Sequence, residues 1–419
     1  AKVGIPAGLV NTIAEAFEVH GEEGFRAREA EVVGALLESA DGGAIALGGG
    51  SILSERIRAA LARHIVVWLQ VDARESWRRI AHSDRPLATG ADDVAELMAV
   101  REPLYEVLAD AVIPVGDRGI AGRAMPALRA LTDLPTDTKL LWAASASGEY
   151  PIFVGTGLLE AVAGSGSGRG WWPAPGRRFG VADATTASLY AERLQPLVAA
   201  AEIPPGEASK TMSVAEGVLR ELARAGMTRE DHLVALGGGV VGDLAGLCAH
   251  LYQRGVPVVQ VPTTLVAQVD SAYGGKTGVD LPEGKNYAGA YHLPAAVIAD
   301  TATLATLPRE ELAAGFVEAL KTGLLAGGSL WERVRGRDSL DPAGLARVES
   351  LGLARRVALA RAFAVGPDFL ILDEPFASLD DALAARMRGQ IANLMANCAV
   401  MALLVTHSLE DAVRLGDRL

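Results

Sequence analysis

The chain has 419 residues, of which 50% are hydrophobic and 5% aromatic, and its formal net charge is -12 at pH 7. This length predicts two or three domains, each large enough for its own core. The negative charge argues against a nucleic-acid or acidic-membrane partner, because nothing offsets the repulsion from phosphate groups. Two cysteines, Cys248 and Cys398, predict no disulfide framework and fit a reducing cytoplasm. No apolar run approaches the roughly 18 residues of a membrane span, so we expect no membrane insertion.

The first third of the chain alternates helical and strand patterns. Residues 11–39 have helical spacing, a short strand is predicted at 44–47, and a second strand at 65–71 follows a helix. A last helix near 121–131 precedes a stretch of weak periodicity, interpreted as a linker. Alternating strands and helices predict a parallel sheet of the α/β class.

The centre of the chain contains a strand–turn–helix–strand unit. An apolar run at 232–236 leads into glycines, a helical pattern covers 240–252, and a second apolar run at 258–261 ends at Pro262. Gly237, Gly239 and Gly242 fit the G-x-G-x-x-G spacing, which lets a backbone approach a pyrophosphate at a helix N-terminus. The glycine spacing alone is a weak signal of nucleotide binding, since tight turns use glycine without a ligand. A further helix is predicted at 187–200.

Lysine is scarce in this chain, which has six lysines against 33 arginines. Lys210, Lys276, Lys285 and Lys321 lie in or near the central segment. Lysine offers a compact charge suited to phosphate or carboxylate. The alternative is a solvated loop, but the composition favours functional lysines.

Several stretches of the central segment resemble 3-dehydroquinate synthase: PPGEASK, GGGVVGDLAG, RGVPVVQVPTTLVAQVDSAYGGKTGV, GKNYAGAYHLP and LPREELAAGFVEALKTGLL. The resemblance covers roughly residues 140–335. It implies a Rossmann-like dinucleotide-binding domain at 140–305 and the start of a helical domain at 306–336. It also implies NAD, a divalent metal (zinc or cobalt) and a phosphorylated keto-acid substrate, and it is compatible with a homodimer.

The same resemblance implies a role for each residue of this chain that matches a functional residue in the family's motifs. The implied catalytic and substrate-binding residues are Arg254, Asp270, Lys276, Lys285, Asn286 and Lys321. The implied NAD contacts are Glu207, Lys210, Gly239, Val240, Val241, Gly242, Asp243, Thr263, Thr264, Lys276, Lys285, Thr303, Leu304, Ala305 and Thr306. Cations suit the substrate's phosphate and carboxylate, while the cofactor performs the redox step.

Glu318 is the implied zinc ligand, three residues before Lys321 on a predicted helix. The alternative for this pair is an i,i+3 surface ion pair. In the family two histidines complete the metal site, and none of the seven histidines of this chain occupies such a motif. A catalytic zinc site needs three protein ligands, so turnover is not expected of this chain.

The first segment, residues 1–135, resembles shikimate kinase through GEEGFRAREAEVV, ALGGGSI, DRPL and REPLY. The resemblance implies a P-loop-kinase-like sheet, with Arg26, Arg101 and the turn Gly48, Gly49 and Gly50 holding the shikimate carboxylate. Arg85 would belong to a lid over ATP. The alternative is three ordinary surface arginines. No G-x-x-x-x-G-K-[ST] motif occurs in the sequence, so phosphoryl transfer from ATP/Mg is not expected of this segment.

Residues 345–419 resemble the ATPase subunit of an ABC transporter, in LARRVALARAFAVGPDFLILDEPFASLDD and ALLVTHSLEDAVRLGDRL. The implied ATPase residues are Asp373, Glu374, Asp380 and His407, with an acid pair at the end of a strand suited to Mg²⁺. ATP hydrolysis is not expected, because this segment lacks a phosphate loop. The sequence therefore predicts a cytoplasmic shikimate-pathway fusion enzyme, with a join at 336–350. The alternatives are a transport ATPase subunit and a non-catalytic interaction protein or chimera.

Overall fold

A computed structural model describes residues 13–81, 90–115, 119–163, 171–326, 369–373 and 401–405. The helices of these ranges are α1 (Ile13–Ser39), α2 (Glu55–Leu61), α3 (Ala73–Ile80), α4 (Ala91–Leu108), α5 (Ile120–Ala130), α6 (Leu158–Ala163), α7 (Ala184–Tyr190), α8 (Met212–Arg224), α9 (Gly239–Leu251) and α10 (Arg309–Ala326). The strands are β1 (Val67–Gln70), β2 (Ala111–Pro114), β3 (Lys139–Ser145), β4 (Gly148–Gly155), β5 (Arg178–Asp183), β6 (Leu197–Ile203), β7 (His232–Gly237), β8 (Val258–Pro262), β9 (Lys276–Leu281), β10 (Gly284–Tyr291), β11 (Ala296–Asp300), β12 (Phe369–Asp373) and β13 (Met401–Val405).

In the part of the chain that the structure describes, one nine-stranded sheet runs through the first two predicted segments, in the order β1-β2-β3-β4-β11-β8-β7-β5-β6. All its neighbours are parallel except the hairpin β3–β4. The predicted α/β class with a large parallel sheet is therefore confirmed. The predicted domain boundary near residue 135 falls within this sheet and not in a gap between sheets.

The central strands are buried along their whole length. Every residue of β7, β8 and β11 is buried, as expected of parallel strands that helices cover on both faces. This explains why these strands read as continuous apolar runs. The predicted unit at 232–261 is confirmed, with α9 ending one residue earlier than expected.

Two predicted elements are wrong. Residues 44–47 form no strand, although they are described. The predicted helix at 187–200 is also wrong: α7 ends at Tyr190, and β6 follows from Leu197 as the edge strand of the sheet. Pro196 separates them, since proline disfavours the helical conformation in the residue before it. The alanines of β6 favour a helix by propensity, but pairing with β5 overrides that preference.

The predicted linker contains a strand that the sequence did not reveal. β3 forms a hairpin with β4, from Lys139↔Val154 to Ser145↔Gly148. Four consecutive residues of β3, from Leu140 to Ala143, are buried. A strand covered on both faces has no two-residue alternation of polarity, so the periodicity there is weak.

The C-terminal strands pair with each other. β12 and β13 form a parallel two-stranded sheet with Phe369 opposite Met401. β12 ends at Asp373, where the sequence predicts the end of a strand. Among the described residues, no helix is long and apolar enough to cross a lipid bilayer.

An aromatic contact lies at the N-terminal ends of β5 and β7. Trp172 Nε1 donates to His232 Nε2 at 2.7 Å, and His232 Nδ1 donates to the Pro175 carbonyl at 2.8 Å. The Arg178 guanidinium lies over the Trp172 ring at 4.1 Å. His232 is fully buried, and burial lowers the pKa of its imidazole. The imidazole is thus held neutral, with both nitrogens satisfied.

We expect acid to destabilise the fold through His232. Because its pKa in the folded chain lies below the ordinary value of 6.5, the unfolded chain binds more protons at acid pH. Stability is therefore fully present above about pH 6.5 and is lost as pH falls towards the folded-state pKa, by up to about 1.4 kcal/mol per pH unit. Urea unfolding between pH 8 and 5 measures this slope. The exposed His20→Gln variant should keep it, and His232→Gln should flatten it; an equal slope in both variants would contradict the assignment.

Candidate functional site

The glycine turn after β7 presents bare backbone at the start of α9. Gly238 is the N-cap of α9 and contributes no side-chain cap. A Cβ atom at Gly238 would lie 2.9 Å from Cγ2 of Thr264, so a larger residue does not fit there. The first N–H groups of a 13-residue helix carry a partial positive charge and favour an anion. This turn has the form that a dinucleotide pyrophosphate needs.

Lys210 lies beside this turn and ties three segments together. Its Nζ donates to Asp243 Oδ2 at 2.6 Å and to Asn286 Oδ1 at 2.5 Å. The Lys210 side chain is 5% exposed and that of Asp243 is 19% exposed. Charge-assisted hydrogen bonds of this kind are strong when they are shielded from water. The structure thus brings together three of the predicted site residues.

Backbone contacts hold the β9–β10 hairpin in place over this cluster. Asp280 N donates to the Lys210 carbonyl at 2.8 Å, and Asn286 N donates to Asp280 Oδ1 at 2.7 Å. Asn286 has φ +58°, in the left-handed region that asparagine tolerates better than most residues. This backbone conformation accompanies the direct contact between Asn286 and the ammonium.

Acidic groups outnumber the bases around the cluster. Burial raises the pKa of Asp243, and Lys210 opposes that rise through a hydrogen bond and its charge. Glu207 and Asp270 are close enough to raise the pKa of Asp243 further by repulsion. Lys285 Nζ lies 3.2 Å from Glu207 Oε1 in an exposed pair. Two lysines therefore stand among three carboxylates.

The predicted threonine contacts divide into two groups. Thr263 is buried next to the glycine turn, and its N–H donates to the Gly237 carbonyl at 3.0 Å. Thr264 Oγ1 accepts from Ala267 N at 3.3 Å. In the later stretch, Thr303 and Leu304 are buried and Ala305 is exposed, and the Thr303 hydroxyl donates to the Asp300 carbonyl. Thr306 Oγ1 is 2.5 Å from the Tyr190 hydroxyl. The later threonines thus hold structural partners.

Two predicted residues lie away from the glycine turn. Lys276 is exposed at the open end of the hairpin, opposite Tyr291, about 13 Å along the strand from the Asp280 end. Arg254 is exposed beyond the far end of α9, a helix about 20 Å long, and has φ +69°. Within one chain the structure does not join these cations to the Lys210 cluster, so their catalytic roles stay predictions.

The predicted metal ligand is an ion-paired glutamate. Glu318 Oε2 lies 3.1 Å from Lys321 Nζ, and both side chains are about a quarter exposed, at 27% and 28%. That oxygen is buried without a well-aligned hydrogen bond. Among the described residues, no group of three or more His, Cys, Asp or Glu side chains could hold a metal ion. The described residues therefore do not fit a complete metal site.

A second cluster forms in the kinase-like segment, at the Gly48–Gly50 turn. The Arg26 guanidinium lies so close to Gly50 that a Cβ there would be 2.5 Å from Nη2. Arg101 Nη1 would be 3.3 Å from a Cβ at Gly49. Two guanidinium groups on one glycine turn can grip a carboxylate by paired hydrogen bonds. The predicted residues of this site are thus neighbours.

Three side chains that position Arg26 or the glycine turn were not predicted from the sequence. Arg26 Nη1 donates to Glu29 Oε2 at 2.6 Å, and Ser51 Oγ donates to the other oxygen of Glu29 at 2.8 Å. Tyr105 OH donates to the Gly49 carbonyl at 2.6 Å. The i,i+3 spacing of Arg26 and Glu29 on a helix was the available signal. Arg85 lies outside the described residues.

The predicted ABC-type residues are almost all outside the described residues. Glu374, Asp380 and His407 fall beyond the strands, and Asp373 is the last residue of β12. Their ATPase roles therefore stay predictions.

We expect the Lys210→Met variant to lose about 3–5 kcal/mol of stability, because it leaves the Asp243 carboxylate buried without its partner. The loss should be larger at pH 7 than at pH 5, since the pKa of Asp243 rises further without Lys210 and a protonated carboxyl is cheaper to bury. Urea unfolding at both pH values measures this. The double variant Lys210→Met/Asp243→Leu should recover most of the loss, whereas additive destabilisation would contradict the pairing.

Comparison with known proteins identifies two family segments. Residues 200–314 match the family model described as 3-dehydroquinate synthase N-terminal, and residues 7–127 match that of shikimate kinase. The resemblances to these two families are therefore confirmed, while that of residues 345–419 to an ABC ATPase stays a prediction.

Two curated relatives bear the name of the first matched family. The 3-dehydroquinate synthase of Symbiobacterium thermophilum is 49% identical over 183 residues, covering 42% of this chain and 51% of that protein. The enzyme of Azotobacter vinelandii is 44% identical over 232 residues, covering 52% and 60%. A solved 2-epi-5-epi-valiolone synthase from Streptomyces hygroscopicus, with NAD⁺ and Zn²⁺ bound, is 30% identical over 52% of this chain and 63% of its own, with a TM-score of 0.41. The chain spans about half the length of the curated relatives it matches, and two of its segments are similar to shikimate kinase and to the N-terminal part of 3-dehydroquinate synthase.

Proposed function

We propose that residues 140–336 bind NAD⁺ at the glycine turn and act as the nucleotide-binding part of a 3-dehydroquinate synthase in the shikimate pathway. The observation that carries this is the buried Lys210, which joins Asp243 of α9 and Asn286 of the hairpin beside that turn. The family matches support the same function. When bound, NAD⁺ would supply the acceptor for a hydride from the substrate carbon that bears a hydroxyl group.

The chain's own residues would hold the cofactor or the substrate in three ways. The N–H groups that open α9 would face the pyrophosphate, with Thr263 and Thr264 beside them. The Lys210 ammonium would fix Asp243 and the hairpin against α9. Lys285 is 75% exposed in a weak surface pair, so it is free to exchange Glu207 for a substrate phosphate. Asp270 would serve as the acid near this edge. A divalent metal, zinc or cobalt, needs ligands beyond the described residues, so no step here is assigned to it.

We also propose that the kinase-like segment binds shikimate through the carboxylate group of shikimate. Arg26 and Arg101 flank the Gly48–Gly50 turn, and Glu29 orients Arg26. The match to shikimate kinase supports this assignment. The two segments would then bind small-molecule substrates of one pathway.

Calorimetric titration with NAD⁺ tests the first proposal. We expect saturable binding by the full chain, and a loss of at least about tenfold in affinity for Lys210→Ala, because the hairpin and Asp243 lose their common anchor. Arg220→Ala, which removes only an exposed pair on α8, is the control.

Circular dichroism must show that Lys210→Ala is still folded, and the milder Lys210→Arg serves if it is not. Unchanged NAD⁺ affinity in the folded variant would refute the role of Lys210. Binding of ATP without NAD⁺ would instead favour the transport ATPase alternative.

Titration with shikimate tests the second proposal. We expect Arg101→Ala to weaken binding by about ten- to a hundredfold, since a charge-assisted pair contributes about 1.5–3 kcal/mol. Arg28→Ala, on the exposed Arg28–Glu31 pair of α1, is the matched control and should bind as the parent does. Equal affinity in both variants would place the carboxylate elsewhere.

A further inference from the structure

Two strands join the kinase-like and synthase-like segments directly. β2 and β3 are parallel neighbours, with Ala111 opposite Leu140 and Val112 opposite Leu141. The Leu140 N–H donates to the Asp110 carbonyl at 2.8 Å. β3 would otherwise be the edge of the synthase-like sheet, with unpaired N–H and C=O groups along one side.

A lysine and an aspartate fasten this junction. Lys139 Nζ, at the start of β3, donates to the Ala109 carbonyl at 2.9 Å and to Asp110 Oδ1 at 3.0 Å. The other oxygen of Asp110 accepts from Val66 N at 2.9 Å, next to β1. The Asp110 carboxylate therefore connects β1 and β2 of the kinase-like segment to β3 of the synthase-like segment. Lys139 is also one of only six lysines in the chain.

A second polar contact lies at the other end of the hairpin. The Arg123 guanidinium, on α5, forms an ion pair with Glu149 of β4. Glu149 Oε2 also accepts from Trp142 Nε1 of β3 at 3.2 Å. Helix α5 of the kinase-like segment is thereby connected to both strands of the β3–β4 hairpin.

The two segments share one apolar core at this junction. Ile113 of β2 is 1% exposed and Ala124 of α5 is fully buried, in the same cluster as Trp142 and Phe153 of the hairpin. Separating the segments would expose both sides of this cluster to water. Burial of apolar area dominates the stability of such a contact.

We propose that the β3 edge of the synthase-like segment is the docking surface for the kinase-like segment of the same chain, and that the two segments open as one cooperative unit. The occupant is fixed by the strand register, the Lys139–Asp110 pair and the shared core. The proposal is independent of what either segment binds.

Hydrogen–deuterium exchange on the full chain tests this docking. In Lys139→Met, amides of both 110–114 and 139–145 should exchange about tenfold faster, because the two strands protect each other. Arg193→Met, which removes the Arg193–Glu160 pair inside the synthase-like segment, is the matched control and should leave both peptides unchanged. Faster exchange in 139–145 alone would overturn the proposal.

A second measurement covers the case in which Lys139→Met does not fold. Arg123→Gln removes a half-exposed partner at the other end of the junction and should speed exchange in 111–114 and 139–145 together. Calorimetry of the unmodified chain should show one transition for the two segments. Two well-separated transitions would overturn the proposal.

Discussion

The contact on which the candidate site depends is the buried ammonium of Lys210. It joins the loop before α8, the first turns of α9 and the β9–β10 hairpin, three pieces that approach one another only through the fold. A charge with 5% exposure is costly unless it is paired, so Asp243 and Asn286 must stay where they are. The site is therefore preorganised before any ligand arrives, because the Lys210 contacts hold Asp243 and the hairpin together.

The sheet positions the glycine turn that lies beside this cluster. β7 and β8 are buried along their whole length, which fixes the glycine turn and the threonines that follow β8 at one edge. Ligands of open parallel sheets bind outside the carboxyl ends of the strands, where such turns gather. The kinase-like segment extends the same sheet through β2, and places its own arginine pair on a separate glycine turn.

Sequence patterns predicted the elements with strong periodicity correctly. They were wrong where strand pairing overrides the helix propensity of the residues, or where burial on both faces removes the alternation of polarity. The run at 232–261 shows its strand–helix–strand order directly, and the structure agrees within one residue at each end. β6 was mistaken for a helix because its alanines favour helices, while pairing with β5 decides the outcome. β3 was missed because a strand buried on both faces carries no alternation of polarity.

The sequence by itself determined which chemical groups are present: the glycine turn, the rare lysines, the arginines beside Gly48–Gly50 and the two family resemblances. Only the tertiary structure decided which of those groups meet. It joined Lys210 to Asp243 and Asn286, left Lys276 and Arg254 apart from them, and added Glu29 and Tyr105 to the other site. The physical reason is that residue types follow from local sequence, whereas distances between them depend on strand order and packing across long chain separations.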